Sequence, residues 1–185
     1  MFPDISLHIL DIVQNSIKAG ADLIEINIAV DMAAKRLKVS VRDNGCGMTK
    51  EQLLECQNPF FTSRTTRKVG LGIPFLKQSA ECTDGTFSIT SEPGQGTCIM
   101  AEYHMDHIDC IPLGDVNATI YSLVIMNGNL NFIYEYRIDA RSFVLDTREI
   151  QSILGEVPMD NPEVAAFIRE FLDENKKETD LGNSF

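Results

Sequence analysis

Residues 11–21 read DIVQNSIKAGA, and our prediction of the fold starts from these residues. It closes a segment, residues 5–19, in which apolar residues recur at helical spacing, and Gly20 is suited to end the helix. Asp11 and Asn15 are four residues apart, so both project from one face of that helix. An amide oxygen is a suitable ligand for Mg2+, and a carboxylate one turn away can polarise a water molecule. The pair also fits the solvated face of an amphipathic helix.

Two glycine-containing segments follow along the chain. Asp43 ends a predicted strand, where a single carboxylate can accept a hydrogen bond from an adenine amino group. Gly45 and Gly47 allow the backbone to approach a flat ring closely, although the segment also fits an ordinary turn. Residues 70–72 read GLG where a loop becomes a helix, and the bare backbone amides of a helix start favour phosphate.

Basic and hydroxyl side chains complete the set. The loop at residues 58–69 carries three cations, among them Arg64 and Lys68, that can meet phosphate oxygens, although a basic loop is also commonly just solvated. Thr97 follows a glycine-rich turn between two predicted strands and gives Asp43 a polar neighbour. The order of these segments favours one pocket for a purine nucleotide with its phosphates and a divalent cation.

The four segments resemble the N, G1, G2 and G3 boxes of the GHKL superfamily, which includes gyrase B subunits, heat-shock chaperones of the ninety-kilodalton class, histidine kinases and MutL proteins. The stretch NSIKAGA at residues 15–21 is similar to the MutL form. The stretches NPFFTSR at residues 58–64 and GLGI at residues 70–73 are similar to the histidine-kinase lid and glycine box. The resemblance covers residues 5–104.

The resemblance implies an α+β fold, a two-layer α/β sandwich in which helices cover one face of a mixed, mostly antiparallel sheet. It also implies ATP and Mg2+ as ligands. Asn15 would coordinate the magnesium, and Asp43 would bind the adenine amine with Thr97 supporting it through water. Gly45 and Gly47 would line the base pocket. The phosphates would be bound under a lid of residues 58–69 by Gly70, Leu71, Gly72, Arg64 and Lys68.

Asp11 departs from the pattern of the hydrolytic branch, which usually has glutamate at this place. Aspartate is shorter by one methylene, about 1.5 Å of reach. A general base must lie within hydrogen-bond range of the water that it activates, so we expect hydrolysis to be slow or absent. Kinase members of the superfamily need less from this position.

The remaining elements divide the chain into an ATP-binding domain at residues 1–105 and an acidic extension at residues 106–185. The extension is predicted as two strands, 116–126 and 130–138, joined by a hairpin turn at Asn127-Gly128, and then two helices. It either extends the sheet or forms a small second domain. Other predicted elements are the strands 23–30, 36–42, 86–91 and 97–103, and the helices 49–57 and 72–82.

Composition narrows the partners. Residues 1–105 hold 10 Lys/Arg and 12 Asp/Glu, for −2, and residues 106–185 hold 6 and 15, for −9. An acidic half repels nucleic acid and anionic membranes, so we expect neither as a partner. The chain has no apolar run that could span a bilayer and no basic leader, which predicts a cytoplasmic protein. Its five cysteines form no CxxC pair and indicate no zinc site.

Three functions remain open. The first is a Mg-ATP-dependent ATPase or conformational switch that acts with a protein partner. The second is a stand-alone kinase of the anti-sigma-factor type that acts in trans, because ten residues before Asp11 leave no room for the phosphoacceptor helices of a complete histidine kinase. The third is a nucleotide-binding regulator without turnover. A homodimer is possible if Phe167, Phe171 and Leu172 pair two subunits instead of packing inward.

Overall fold

One mixed sheet of six strands organises the described part of the chain, which in this computed structural model comprises residues 2–57, 71–155 and 157–182. The strands are β1 (Leu23–Asp31), β2 (Arg36–Asp43), β3 (Thr86–Glu92), β4 (Gly96–His104), β5 (Asn131–Ile138) and β6 (Arg141–Asp146). They lie in the order β3-β4-β2-β1-β5-β6. β1 and β5 are parallel, and the other neighbouring pairs are antiparallel. The predicted α+β fold with a mostly antiparallel sheet is confirmed.

Six helices lie within the described ranges: α1 (Ile5–Lys18), α2 (Lys50–Cys56), α3 (Gly72–Glu81), α4 (Val116–Met126), α5 (Thr147–Leu154) and α6 (Pro162–Asp180). Strand alternation decides which face of the sheet they cover. Every second residue of β1, from Ile24 to Val30, is buried, and the register aligns these residues with the buried rows of β2 and β5. Phe132, Tyr134 and Tyr136 continue this core on β5.

The prediction of a strand at residues 116–126 is wrong, because this segment is α4. Its run of Val, Ile and Leu fits a buried strand or a buried helix equally well by periodicity, and α4 packs against both α1 and α6. The sheet also demands a helix here. β4 and β5 run in the same direction, so the chain must cross over between them. Asn127-Gly128 therefore joins a helix to a strand and is not a hairpin turn.

The hairpin of the C-terminal half is formed by β5 and β6, and β6 was not predicted. Asp139 turns between these strands with a φ of 51°. Because β5 pairs with β1, the C-terminal strands extend the central sheet. The two C-terminal helices predicted for the extension are present, with Asp146 and Asn161 as their N-caps. The mobile loop predicted at residues 58–69 lies outside the described residues.

Helix α6 packs against α4, β5 and β6. Leu172 is buried, whereas Phe171 is half-buried and Phe167 is 54% exposed. The hydroxyl of Tyr136 donates a 2.8 Å hydrogen bond to Asp180 near the end of α6. The inward packing considered for this helix therefore holds for Leu172 but leaves Phe167 at the surface.

Candidate nucleotide-binding site

Asp43 occupies the centre of the predicted site, at the end of β2, where it is 8% exposed. Its Oδ2 accepts a 2.7 Å hydrogen bond from the Ser16 hydroxyl of α1. Its Oδ1 accepts from the N–H groups of Gly45 at 2.9 Å and Thr97 at 3.2 Å. A carboxylate has about four acceptor positions. Three donors therefore fix its orientation and leave it able to accept one more hydrogen bond from a ligand.

A polar row crosses the sheet beside this carboxylate. Asp43 pairs with Thr97 on β4, and Thr97 pairs with Ser91 on β3. The Ser91 and Thr97 hydroxyls are 2.9 Å apart, and Ser91 accepts a 2.9 Å hydrogen bond from the Met48 N–H. A cavity of about 370 Å³ at this end of the sheet is lined by Asp43, Ser91 and Thr97, among others. The row supplies oriented hydroxyls beside the carboxylate.

The glycines after Asp43 allow the loop to pack between two elements. A Cβ on Gly47, whose φ is +64°, would lie 1.9 Å from the backbone oxygen of Glu92. A Cβ on Gly45 would lie 2.9 Å from the backbone oxygen of Ala19. The N–H of Cys46 donates to that same oxygen at 2.9 Å. Neither glycine tolerates a side chain without a backbone shift, so both keep the loop against the end of α1 and the β3–β4 turn.

Asp11 lies against the start of α3. A Cβ on Gly72 would be 1.6 Å from Oδ2 of Asp11, so this carboxylate fills the space that a side chain at Gly72 would need. The N-cap of α3, Leu71, is exposed and makes no side-chain cap hydrogen bond. First-turn amides without such a cap, at the positive end of a helix, suit an anion.

Helix α1 joins the two ends of the site. Asp11 faces the start of α3 and Ser16 holds Asp43, so five residues, or about 7.5 Å of helix, separate these contacts. Asn15 lies between them, is half-buried and makes no side-chain hydrogen bond to any described residue. The described residues include no group of three or more His, Cys, Asp or Glu side chains that could hold a metal ion. A Mg2+ ion here would depend on Asn15 and on ligand oxygens.

The predicted site residues thus fall into three groups, and Asn15 lies on α1 between the first two of them. Asp43, Gly45, Gly47 and Thr97 come together at the sheet end, and Asp11 meets Gly72 at the start of α3. Leu71 is at the same helix start. Arg64, Lys68 and Gly70 lie outside the described residues. Sequence reasoning missed Ser16 and Ser91, because a serine on a helix face or strand gives no signal until the register shows its partner.

His8 is buried one turn before Asp11 on α1. Neither ring nitrogen has a hydrogen-bond partner among the described residues, and the ring of Phe2 stands edge-on to it at 5.0 Å. Burial lowers the pKa of His8 to about 4, so the ring is neutral near pH 7. Its burial keeps this histidine from contact with another protein.

Residues 3–107 match the family model described as histidine kinase-, DNA gyrase B- and HSP90-like ATPase. The chain belongs to this family. Among curated relatives of this family member, the non-motile and phage-resistance protein of Caulobacter vibrioides is 32% identical over 110 residues, which are 55% of this chain and 13% of that protein. The sensor protein kinase FleS of Pseudomonas aeruginosa is 37% identical over 90 residues, 49% of this chain and 22% of that protein. The matches thus span less than a quarter of these relatives.

Solved structures show the same fold. The MutL ATPase domain of Aquifex aeolicus, complexed with ADP, has a TM-score of 0.54 at 13% identity and covers 92% of this chain and 88% of that one. The N-terminal domain of a DNA repair protein has a TM-score of 0.55 at 14% identity and covers 84% of this chain and 58% of that one. Among the helices of the described ranges, none combines the length and apolar character needed to cross a bilayer.

Proposed function

We propose that this chain binds ATP with magnesium and acts as a slow ATPase or nucleotide-driven switch together with a protein partner. One observation carries the proposal: the Asp43 carboxylate, held by Ser16, Gly45 and Thr97, keeps one acceptor position for a ligand donor. The exocyclic amine of adenine is such a donor, whereas guanine has an acceptor in the same place. Adenine selectivity follows from this difference.

The phosphate end of the ligand would lie at the start of α3. The amides near Leu71 and Gly72 offer donors at the positive end of a helix dipole. The Asp11 carboxylate in the same place repels phosphate oxygens, so a cation between them is expected. Asn15, one turn from Asp11, makes no side-chain hydrogen bond to a described residue, and its amide oxygen would ligate Mg2+, which would neutralise phosphate charge.

A nucleotide titration tests the binding. Purified protein should bind ADP and ATP with micromolar to millimolar affinity, should need magnesium for the triphosphate, and should bind GDP at least about tenfold more weakly. Isothermal calorimetry with and without Mg2+ measures these constants. Equal affinity for ADP and GDP would contradict the role given to Asp43.

Kinase action on a separate protein is the second candidate, and the short Asp11 side chain favours it. The relatives include a sensor protein kinase, and the Asp11 carboxylate lies against the backbone of Gly72 at the start of α3. His8 is buried, so it would not serve as the phosphoryl acceptor within α1. In this second function the γ-phosphate goes to a side chain of another protein.

Replacing Asp11 separates the two candidates. If Asp11 activates water, Asp11→Ala should lower phosphate release from ATP by about 100-fold or more, because general bases contribute 10²–10⁴-fold. ATP affinity should stay within about threefold of that of the unmodified protein. Asp106→Ala, at an exposed position between β4 and α4, is the matched control. Labelled ATP measures release to water and, with cell extract present, transfer to protein. Unchanged release in Asp11→Ala would exclude the base role, and labelling of one protein would then support the kinase.

A further inference from the structure

A second pocket lies in the C-terminal half, and none of its described lining residues belongs to the nucleotide site. It is a groove of about 500 Å³ between β6, α5 and α6. Apolar side chains dominate its lining, among them Val144, Ile150, Ile153, Phe167 and Phe171. A groove of this size and composition has the properties of a binding site.

The apolar side of α5 is only partly covered, because Ile150 and Leu154 pack against the core but Ile153 does not. Ile150, Ile153 and Leu154 recur at helical spacing, but of the eight residues of this helix, all of them described, Thr147 alone is buried. Ile153 is 85% exposed, and Phe167 on the opposite wall of the groove is 54% exposed. Large apolar side chains that face one another across an open groove indicate an interaction surface.

The floor of the groove is the outer edge of β6. Val144, Leu145 and Asp146 are consecutive, and all three line the groove. Successive strand residues point to opposite faces of a sheet, so a groove that touches all three reaches past the outer edge of β6 near the strand's end. Among the described strands β6 pairs with β5 only, which leaves the outward backbone groups of this edge for another strand.

Charge indicates what can fill the groove. Every polar side chain that the described residues contribute to its lining is acidic, namely Asp146, Glu149 and Glu163. Arg148 is already paired with Asp146 through a contact of 2.6 Å. A second copy of this chain would bring the same carboxylates and be repelled, whereas lysine or arginine side chains would be attracted.

We propose that the groove binds an extended segment of another protein, with apolar residues at alternate positions and Lys or Arg on its flanks. The segment adds to β6 as a seventh strand of the sheet. Its backbone pairs with the free edge, its apolar side chains enter the space between Ile153 and Phe167, and its cations meet Glu149 and Glu163.

Selection from a phage-displayed library of random dodecapeptides tests the proposal. The full chain without nucleotide is the bait. The library is first depleted on the Phe167→Glu variant, which removes peptides that bind outside the groove. Synthetic peptides of the selected sequence should alternate apolar residues between basic flanks. Fluorescence anisotropy should show at least about tenfold weaker binding to Ile153→Glu and Phe167→Glu, and unchanged binding to Ile108→Glu, whose residue is 95% exposed outside the groove.

Backbone methylation distinguishes a strand from a helix in the groove. Methylating alternate peptide nitrogens on the side that faces β6 should abolish binding, and methylating the intervening ones should not. Three results would overturn the proposal. The first is a set of selected peptides whose apolar residues recur at helical spacing and whose binding does not depend alternately on backbone methylation. The others are the absence of any peptide that needs the groove, and a dimer in sedimentation that Phe167→Glu dissociates. Peptide binding should be the same in Asp43→Asn. A failure of the peptide-binding proposal would therefore not count against the proposed nucleotide function.

Discussion

Asp43→Asn should lower the affinity for ADP by roughly 10- to 150-fold, the equivalent of losing about 1.5–3 kcal/mol for a hydrogen bond to a charged group. The substitution keeps the shape of the side chain. One amide oxygen can still accept from Gly45 and Thr97, and the Ser16 hydroxyl can turn to accept from the new amide group. What changes is the remaining acceptor, because an NH₂ group would face the adenine amine.

Calorimetry with ADP and GDP checks this expectation. Selectivity for adenine should fall in the variant, while circular dichroism and the thermal midpoint should stay close to those of the unmodified protein. Ser16→Ala is the graded control, since it removes one orienting donor and leaves the charge in place. An ADP affinity that Asp43→Asn does not alter would remove the basis of the proposed function.

Asn15→Ala should abolish the part of ATP binding that depends on magnesium. With Mg2+ present, we expect the affinity for ATP to fall by about 100-fold, because loss of a residue that merely orients a metal ligand typically costs 10–100-fold in metal affinity. Binding in EDTA and adenine selectivity should not change, because Asn15 makes no hydrogen bond to the described residues around Asp43.

Titrations of ATP in Mg2+ and in EDTA give the two constants that are needed. Gln14→Ala, on the neighbouring position of α1, is the matched control and should retain the magnesium effect. If Asn15→Ala and the unmodified protein respond equally to Mg2+, the metal is held elsewhere.

Sequence reasoning reached the first half of the fold because its patterns are local. The alternation in β1 and β2 and the glycine after α1 each specify one element without reference to the rest. It failed at α4, because an apolar run fits a buried helix or a buried strand equally well. The crossover between β4 and β5 is what favours the helix. It missed β6, whose six residues become a strand by pairing with β5.

The candidate site shows the same division. The boxes indicated Asp43 and Thr97 from the chain alone, but their orientation depends on Ser16 and Ser91, which reach them across 27 and 6 positions of sequence. The contact between Asp11 and Gly72 likewise joins two helices that are distant in the chain. Pairings of this kind are properties of the register and cannot be read from composition or periodicity.

The parallel pairing of β1 with β5 means that the sheet extends beyond the part of the chain that matches the family. The family match ends at residue 107, yet eight aligned residue pairs join β1 to residues 131–138. One row of the sheet runs from Phe132 through Ile24 to Asp43. A gene fusion or truncation that kept residues 3–107 alone would cut this row next to the strand that supports the carboxylate.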